Sequence, residues 1–261
     1  MKIVYFSRDK VLRVTAVFLI ALISIIYVQS VEYPGIMVFL TDKKELPIYS
    51  VETDEKKIAI SFDAAWGSER TDELLAILRE RDIKATFFLV GIWVDKYSDK
   101  VEDIAREGHE VGNHSTTHPH MSKLSPAQIK KEIETTQHQI EELAGDRAVK
   151  LFRPPFGDYD DTLILTCREL GYYPVQWDVD SLDWKDYGAE HIVNQVLDKV
   201  REGSIVLFHN DAKYTPTALP TILDRLIDEG YEFVPISELI YKSNYQIDHT
   251  GRQIKMSNEI E

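Results

Sequence analysis

The 261 residues carry 44% hydrophobic side chains, enough for one substantial core and one large domain. Thirty Lys and Arg against 44 Asp and Glu leave a formal charge of −14, which argues against nucleic acid, whose phosphates need clustered basic groups; a neutral polymer stays compatible. The single cysteine, Cys167, excludes an intramolecular disulfide and reads as a small buried apolar residue of a helix over 162–170.

The chain opens with Lys2, Arg8, Lys10 and Arg13, followed by an uncharged apolar run of 15 residues from Val14 to Val28. Basic residues ahead of an apolar run are the layout of an export signal. The expectation is an uncleaved signal-anchor over 1–31, a single-pass transmembrane helix in the cell membrane. Its basic end stays in the cytoplasm and the rest of the chain lies outside. Cleavage near Val28-Gln29-Ser30, giving a secreted protein, is the competing expectation. Residues 32–55 read as a lead-in linker, punctuated by Pro34-Gly35 and Pro47 and carrying the solvated charge run Asp42-Lys43-Lys44-Glu45.

From Lys57 onward, apolar runs alternate with amphipathic ones. Lys57–Phe62 predicts a strand, and the spacing of Leu74, Leu75 and Leu78 predicts a helix over Thr71–Arg81. Ala85–Val90 is the next strand, then a helix from Tyr97 to Glu107 closed by Gly108. His109–Asn113 is a short strand, and Ser125-Pro126 opens a helix to Leu143. Strands over Val149–Arg153, Tyr173–Asp178, Ser204–His209 and Tyr231–Pro235 alternate with helices over Asp160–Leu170, Ala189–Arg201 and Leu219–Glu229. A helical turn at Ser237–Tyr241 follows. Strict alternation implies parallel strands with helices outside. The predicted fold class is α/β: a distorted (β/α) barrel of about seven parallel strands over 56–241, preceded by the membrane-anchor helix. An open doubly wound sheet is the alternative closure. Residues 242–261 read as a polar, frayed tail.

In a parallel barrel the active groups sit at the C-terminal ends of the strands. Asp63, His114 with His118, Arg153, the group Asp178, Asp180 and Asp183, and His209 each close an apolar run or lie just beyond one. Singly, an aspartate there is usually a turn former. Five such clusters on one rim are far more specific. His114 and His118 can aim two rings at one point, about 2.0–2.1 Å from a divalent ion, and Pro119 makes the segment a turn rather than a helix face. Such a rim holds the parts of a metal-assisted amide or ester hydrolysis: an activated water, a carboxylate base, an imidazole acid and a stabilised oxyanion.

Five segments carry a family resemblance: Ser61-Phe62-Asp63-Ala64-Ala65-Trp66-Gly67, Asn113-His114-Ser115-Thr116-Thr117-His118, Arg153-Pro154-Pro155-Phe156-Gly157, Asp180-Ser181-Leu182-Asp183-Trp184 and Ile205-Val206-Leu207-Phe208-His209-Asn210-Asp211. In that order they resemble the motifs of the polysaccharide deacetylases, the NodB-type enzymes of carbohydrate esterase family 4, from about Lys56 to Leu239. The membrane lead and the Phe-Asp-Ala-Ala-Trp-Gly variant look like the sporulation-associated, PdaB-like branch. The resemblance implies Asp63 as the catalytic base, with His114 and His118 as ligands of a Zn, Mn or Co ion. Arg153 would orient and tune Asp63, and the Phe156 N–H would sit in the oxyanion hole. His209 would be the general acid, its ring held by Asp183 or Asp180. Trp184 and Leu207 would form an apolar groove for the acetyl methyl. One departure stands out: the family motif pairs two aspartates, and the second position here is Ala64. A methyl cannot coordinate, and zinc sites take at least three protein ligands, so weak metal binding is implied.

The implied function is metal-dependent deacetylation of N-acetylated cell-wall polysaccharide, peptidoglycan-like amino sugars, outside the membrane and in sporulation. The implied partners are that polysaccharide and the membrane. The alternative is a glycan-binding or scaffolding pseudo-enzyme with weak or no catalysis, the reading that Ala64 favours.

Overall fold

The computed structural model describes residues 8–32 and 44–256. Lys2, Pro34-Gly35 and Asp42-Lys43 lie outside the described residues. The chain divides into two units, Met1–Lys44 and Glu45–Glu261. In the first, helix α1 runs over Arg8–Glu32. Among the described residues no helix is long and apolar enough to cross a membrane, so the anchor rests on the order of charge and apolar residues in the sequence.

The body begins with β1 (Ser50–Val51), β2 (Lys57–Ala64), α2 (Thr71–Glu80), β3 (Thr86–Leu89), α3 (Gly91–Lys96), α4 (Ser98–Arg106), β4 (Glu110–Asn113), α5 (Pro126–Ala144) and β5 (Ala148–Phe152). It continues with α6 (Asp161–Glu169), β6 (Tyr173–Pro174), β7 (Val179–Asp180), α7 (Ala189–Leu197), β8 (Ile205–His209), α8 (Thr215–Asp228), β9 (Glu232–Phe233), α9 (Ile236–Leu239), β10 (Tyr245–Ile247) and β11 (Arg252–Lys255). Seven strands form one curled parallel sheet in the order β6-β5-β4-β3-β2-β8-β7, with β9 beside the start of β2. This is the distorted (β/α) barrel that the alternation predicts.

Strand parity decides which way β2 faces. Ile58, Ile60, Phe62 and Ala64 belong to the large cluster shared with Leu74 and Leu78 of α2 and Leu219 and Ile222 of α8. The alternate residue Ala59 packs instead with Phe88, Leu151 and Ile205. Asp63 shares the parity of Ala59 and faces the barrel interior, because successive side chains leave a strand on opposite faces. Phe62 stacks on Phe87 at 4.9 Å and on Phe208 at 5.6 Å, tying β2 to both neighbours. Ser125 caps α5: its N–H donates to Gln128 Oε1 at 3.0 Å, with Pro126 in the first turn.

Four details differ from the sequence reading. Of the predicted strand Tyr173–Asp178 only Tyr173–Pro174 is strand, as β6 beside β5; β7 begins past it at Val179 and pairs with β8 at the other end of the sheet. The chain between them crosses the gap where the barrel fails to close, so those residues cannot stay in one ladder. The predicted helix over 97–107 is α4 alone, preceded by the separate α3. The lead-in does not stay a linker to Glu55. The Ile48 N–H donates to the Pro174 carbonyl at 2.9 Å, and β1 pairs in parallel with β11. The tail is not frayed where it is described, because β10 and β11 form a hairpin turning at Gly251. The buried Gln253 side chain accepts the Tyr241 N–H at 2.7 Å and donates to its carbonyl at 2.7 Å. A buried amide satisfied on both sides pins that hairpin to the body.

Candidate active site

Asp63 lies opposite His209 in the register of neighbouring strands β2 and β8. Both line a cavity of about 580 Å³ together with His114, His118, Phe156, Asp180, Trp184 and Leu207. Asp63, His114, Asp180 and His209 lie at or just past the C-terminal ends of β2, β4, β7 and β8, as the rule for parallel barrels requires.

Arg153 follows β5 and is wholly buried. One guanidinium nitrogen donates to Asp63 Oδ1 at 2.8 Å and another to the Gln176 carbonyl at 3.1 Å. The guanidinium also lies 4.1 Å from the centre of the Phe88 ring and 5.5 Å from that of Trp177. A charge taken out of water is held here by an opposite charge, a carbonyl and two aromatic faces. Burial alone would raise the Asp63 carboxyl. The charge of Arg153, then the neighbouring imidazoles of His114 and His209, outweigh it and hold Asp63 below the usual carboxylate range.

His114 follows β4, and its Nδ1–H donates to the Arg153 carbonyl at 2.7 Å. The carbonyl can only accept, so the neutral ring keeps its lone pair on Nε2, which lies 3.5 Å from Asp63 Oδ2. Burial holds His114 below the usual imidazole range, against the pull of Asp63. His118 is reached through a turn in which Ser115 and His118 both take positive φ, +69° and +58°. Non-glycine residues rarely stay there without support. Glu132 of α5 supplies it: its carboxylate accepts the N–H groups of Thr116 and Thr117, both at 2.8 Å, and the Thr117 hydroxyl at 2.9 Å. Burial, then the neighbouring His114, hold His118 to about 4.

The His209 ring Nδ1 is 2.8 Å from Asp183 Oδ1. Burial works to lower His209, but the hydrogen bond and charge of Asp183 outweigh it and leave the imidazole above its ordinary value. Asp180 does not reach that ring: its Oδ1 accepts the Leu182 N–H at 2.8 Å and it stands in the cavity wall. Asp178 leaves the rim altogether. It accepts the Ser204 hydroxyl at 3.0 Å and the Ile205 N–H at 2.9 Å, anchoring the opposite end of β8. Phe156 sits in a tight turn with φ +60°, its ring exposed and 4.4 Å from that of His118. Leu207 is buried beneath the cavity while Trp184 stands exposed at its mouth.

A divalent ion is what the family resemblance puts between His114 and His118, whose ring centres are 5.0 Å apart. Asp63 Oδ1 is taken by Arg153, His118 Nδ1 is buried without a hydrogen-bond partner, and Ala64 offers a methyl turned toward the outer helices. Among the described residues no three His, Cys, Asp or Glu side chains are grouped to hold a metal. Two imidazoles do not fit a tightly held ion, which takes three protein ligands.

Sequence reasoning missed Glu132, Phe88, Gln176 and Trp177. Glu132 lies mid-helix among other charges, and Phe88 reads as one more apolar residue of a strand. Gln176 and Trp177 fall inside the stretch taken for a single strand, so nothing local marks them.

Residues 50–175 match the family model for polysaccharide deacetylase. A peptidoglycan-N-acetylglucosamine deacetylase of Bacillus cereus is 37% identical over 197 residues, which cover 74% of this chain and 92% of that protein. The uncharacterized protein YlxY of Bacillus subtilis is 35% identical over 194 residues, 74% of this chain; the match spans 60% of the length of YlxY. Among solved structures, BA3943 of Bacillus anthracis, a CE4 family pseudoenzyme, superposes with a TM-score of 0.71 at 35% identity, covering 75% of this chain and 69% of that one. A mutant of BA3943 with restored enzymatic activity gives 0.72 at 35% identity, covering 75% and 71%. The chain belongs to the polysaccharide deacetylases, the NodB-type hydrolases of carbohydrate esterase family 4.

Proposed function

We propose that this chain hydrolyses the acetamide C–N bond of N-acetylated amino sugars in cell-wall polysaccharide. The observation that carries this reading is the facing pair Asp63 and His209. They stand in one hollow, each fixed by its own partner, Arg153 and Asp183. Asp63 stays ionised and takes a proton from a water within reach of the His114 Nε2 lone pair. The water oxygen bonds to the acetyl carbon, and the resulting oxyanion accepts the Phe156 N–H. His209, protonated through Asp183, gives its proton to the leaving nitrogen. The C–N bond breaks, acetate departs and the sugar keeps an amine. The acetyl methyl rests against Trp184 and Leu207. The test is acetate release from peptidoglycan or an N-acetylglucosamine polymer, without added metal and with Zn²⁺, Mn²⁺ or Co²⁺. Release in any of these supports the hydrolase.

A second reading has its own support. Ala64 and the two-imidazole set weaken the expected metal centre, and BA3943, which this chain resembles, is a pseudoenzyme. Glycan binding with no acetate released under any metal favours that reading.

The basic residues ahead of Val14–Val28 support a body held outside the membrane by its leader, and the PdaB-like resemblance supports a place in sporulation. Fractionation tests the first: recovery in the salt-washed membrane pellet supports the anchor, and recovery in the medium, shortened near Ser30, supports cleavage.

A further inference from the structure

The turn that carries the proposed oxyanion donor is one its backbone would not favour unaided. Phe156 and Gly157 both take positive φ, +60° and +65°. A bulky side chain rarely stays there without support. The Gly157 N–H donates to the Pro154 carbonyl at 3.1 Å, and the Asp158 N–H to the Pro155 carbonyl at 3.0 Å. A Cβ on Gly157 would stand 3.3 Å from the Trp177 ring, so the backbone there lies close on that ring. These contacts close the turn but leave the Phe156 side chain unheld.

A second segment holds that side chain. Residues 118, 120 and 122 meet 156 and 158 in step. The His118 ring meets Phe156 edge-on, with the centres 4.4 Å apart. The His120 ring lies flat on Phe156, the centres 4.5 Å apart and the planes inclined by 23°. The Asp158 carboxylate accepts the Ser122 N–H at 3.1 Å and the Ser122 hydroxyl at 2.8 Å, and stands 3.5 Å from His120 Nδ1. Between His120 and Ser122, Met121 is fully buried in the cluster that includes Phe152 and Leu163. His120 and Ser122 therefore flank a rooted point and cannot drift unless Met121 leaves the core. The reaction as derived uses none of His120, Ser122 and Asp158.

An oxyanion donor contributes most when it already points to where the charge will develop. A donor free to swing loses much of that gain, because misplacement by about 1 Å can cost a large factor in rate. We propose that His120, steadied by Asp158, is a positioning residue for the Phe156 N–H. Its ring clamps the Phe156 side chain, fixes the turn over 155–158, and locks that turn to the one that carries His118. The proposal rests on the deacetylase reading for what the Phe156 N–H does, but the locking of the turn does not require turnover.

Two measurements on the full chain test it, made on wild type, His120→Ala, His120→Phe and Asp158→Ala. The first is backbone hydrogen exchange read by mass spectrometry. Pro154 and Pro155 carry no N–H, so a peptide beginning at Arg153 and ending at Asp158 reports on Phe156, Gly157 and Asp158 alone. Exchange there should quicken about tenfold in His120→Ala and in Asp158→Ala, and stay near the wild-type rate in His120→Phe, which keeps a flat ring. The second is acetate release from the β-1,4-linked tetramer of N-acetylglucosamine. His120→Ala should lower kcat about tenfold with KM within about twofold, and His120→Phe should restore most of the loss. His120 is half exposed, and unchanged thermal melting confirms that its variants fold; the His120 pair decides the matter if Asp158→Ala does not. Exchange untouched in His120→Ala overturns the proposal, as does a rise in KM with kcat unchanged. Quickened exchange rescued by phenylalanine, in a chain that releases no acetate, supports the clamp and sinks the hydrolase alone. Acetate released by His120→Ala at the full wild-type rate sinks the clamp alone.

Discussion

The carboxylate of Asp183 holds His209 at two points, ring and backbone. Oδ1 pairs with the ring Nδ1 at 2.8 Å, and Oδ2 accepts the His209 N–H at 2.8 Å and the Thr215 hydroxyl at 2.7 Å. This leaves Nε2 as the nitrogen that faces the hollow, the one that would carry the proton in the proposed reaction. Asp183→Asn keeps the shape but removes the charge that raises the imidazole. It should lower kcat about a hundredfold and move the alkaline limb of the kcat/KM profile to lower pH.

The wild-type profile should be bell-shaped. His209 is raised, so its proton is fully present below about pH 6.5 and lost as pH rises through its raised value. Asp63 is lowered, so the base is ionised above about pH 3.9 and fails only as pH falls through its depressed value. Steady-state rates between pH 3 and 10 check both limbs. An acid limb near pH 6 would show that the group titrating is not Asp63 as the structure holds it.

Arg153→Leu leaves Asp63 buried without its counter-charge. Removing one partner of a buried pair costs about 3–5 kcal/mol. For a body of this size that is a fall in Tm of roughly 6–20 °C, read by calorimetric melting. Asp63→Asn should abolish acetate release and destabilise less, because the neutral amide still accepts one guanidinium N–H. Full turnover in Asp63→Asn would remove it as the base.

Ala64 is the last residue of β2, where the chain leaves the ladder, so in Ala64→Asp the longer side chain can turn from the outer core toward His114 and His118 as a third donor; Zn²⁺ binding should then tighten at least about tenfold by titration calorimetry. Ala64 packs in the outer core with Leu74 and Leu89, so the metal-free variant should also melt lower than wild type. Unchanged Zn²⁺ affinity would mean that any ion bound lies elsewhere.

Glu132→Gln weakens the hold on the turn that carries His118 by replacing charge-assisted bonds with neutral ones, at about 1–2 kcal/mol. With glycan bound, the result expected is a loss of kcat larger than any change in KM. Equal loss of stability with untouched kinetics would make Glu132 a structural clamp only.

The sequence by itself determined the alternating architecture and the addresses of the chemical groups. Asp63, His114, Arg153 and His209 each close an apolar run, and periods of two and of 3.6 residues are local properties that any stretch displays alone. Only the tertiary structure chose Asp183 over Asp180 for His209, moved Asp178 to the other end of β8, and split residues 173–180 between the two ends of the sheet. It also brought Glu132, Phe88, Gln176 and Trp177 to the site. The reason is register: which of three nearby carboxylates meets a given ring depends on how strands far apart in the chain are aligned, and local periodicity carries no record of that alignment.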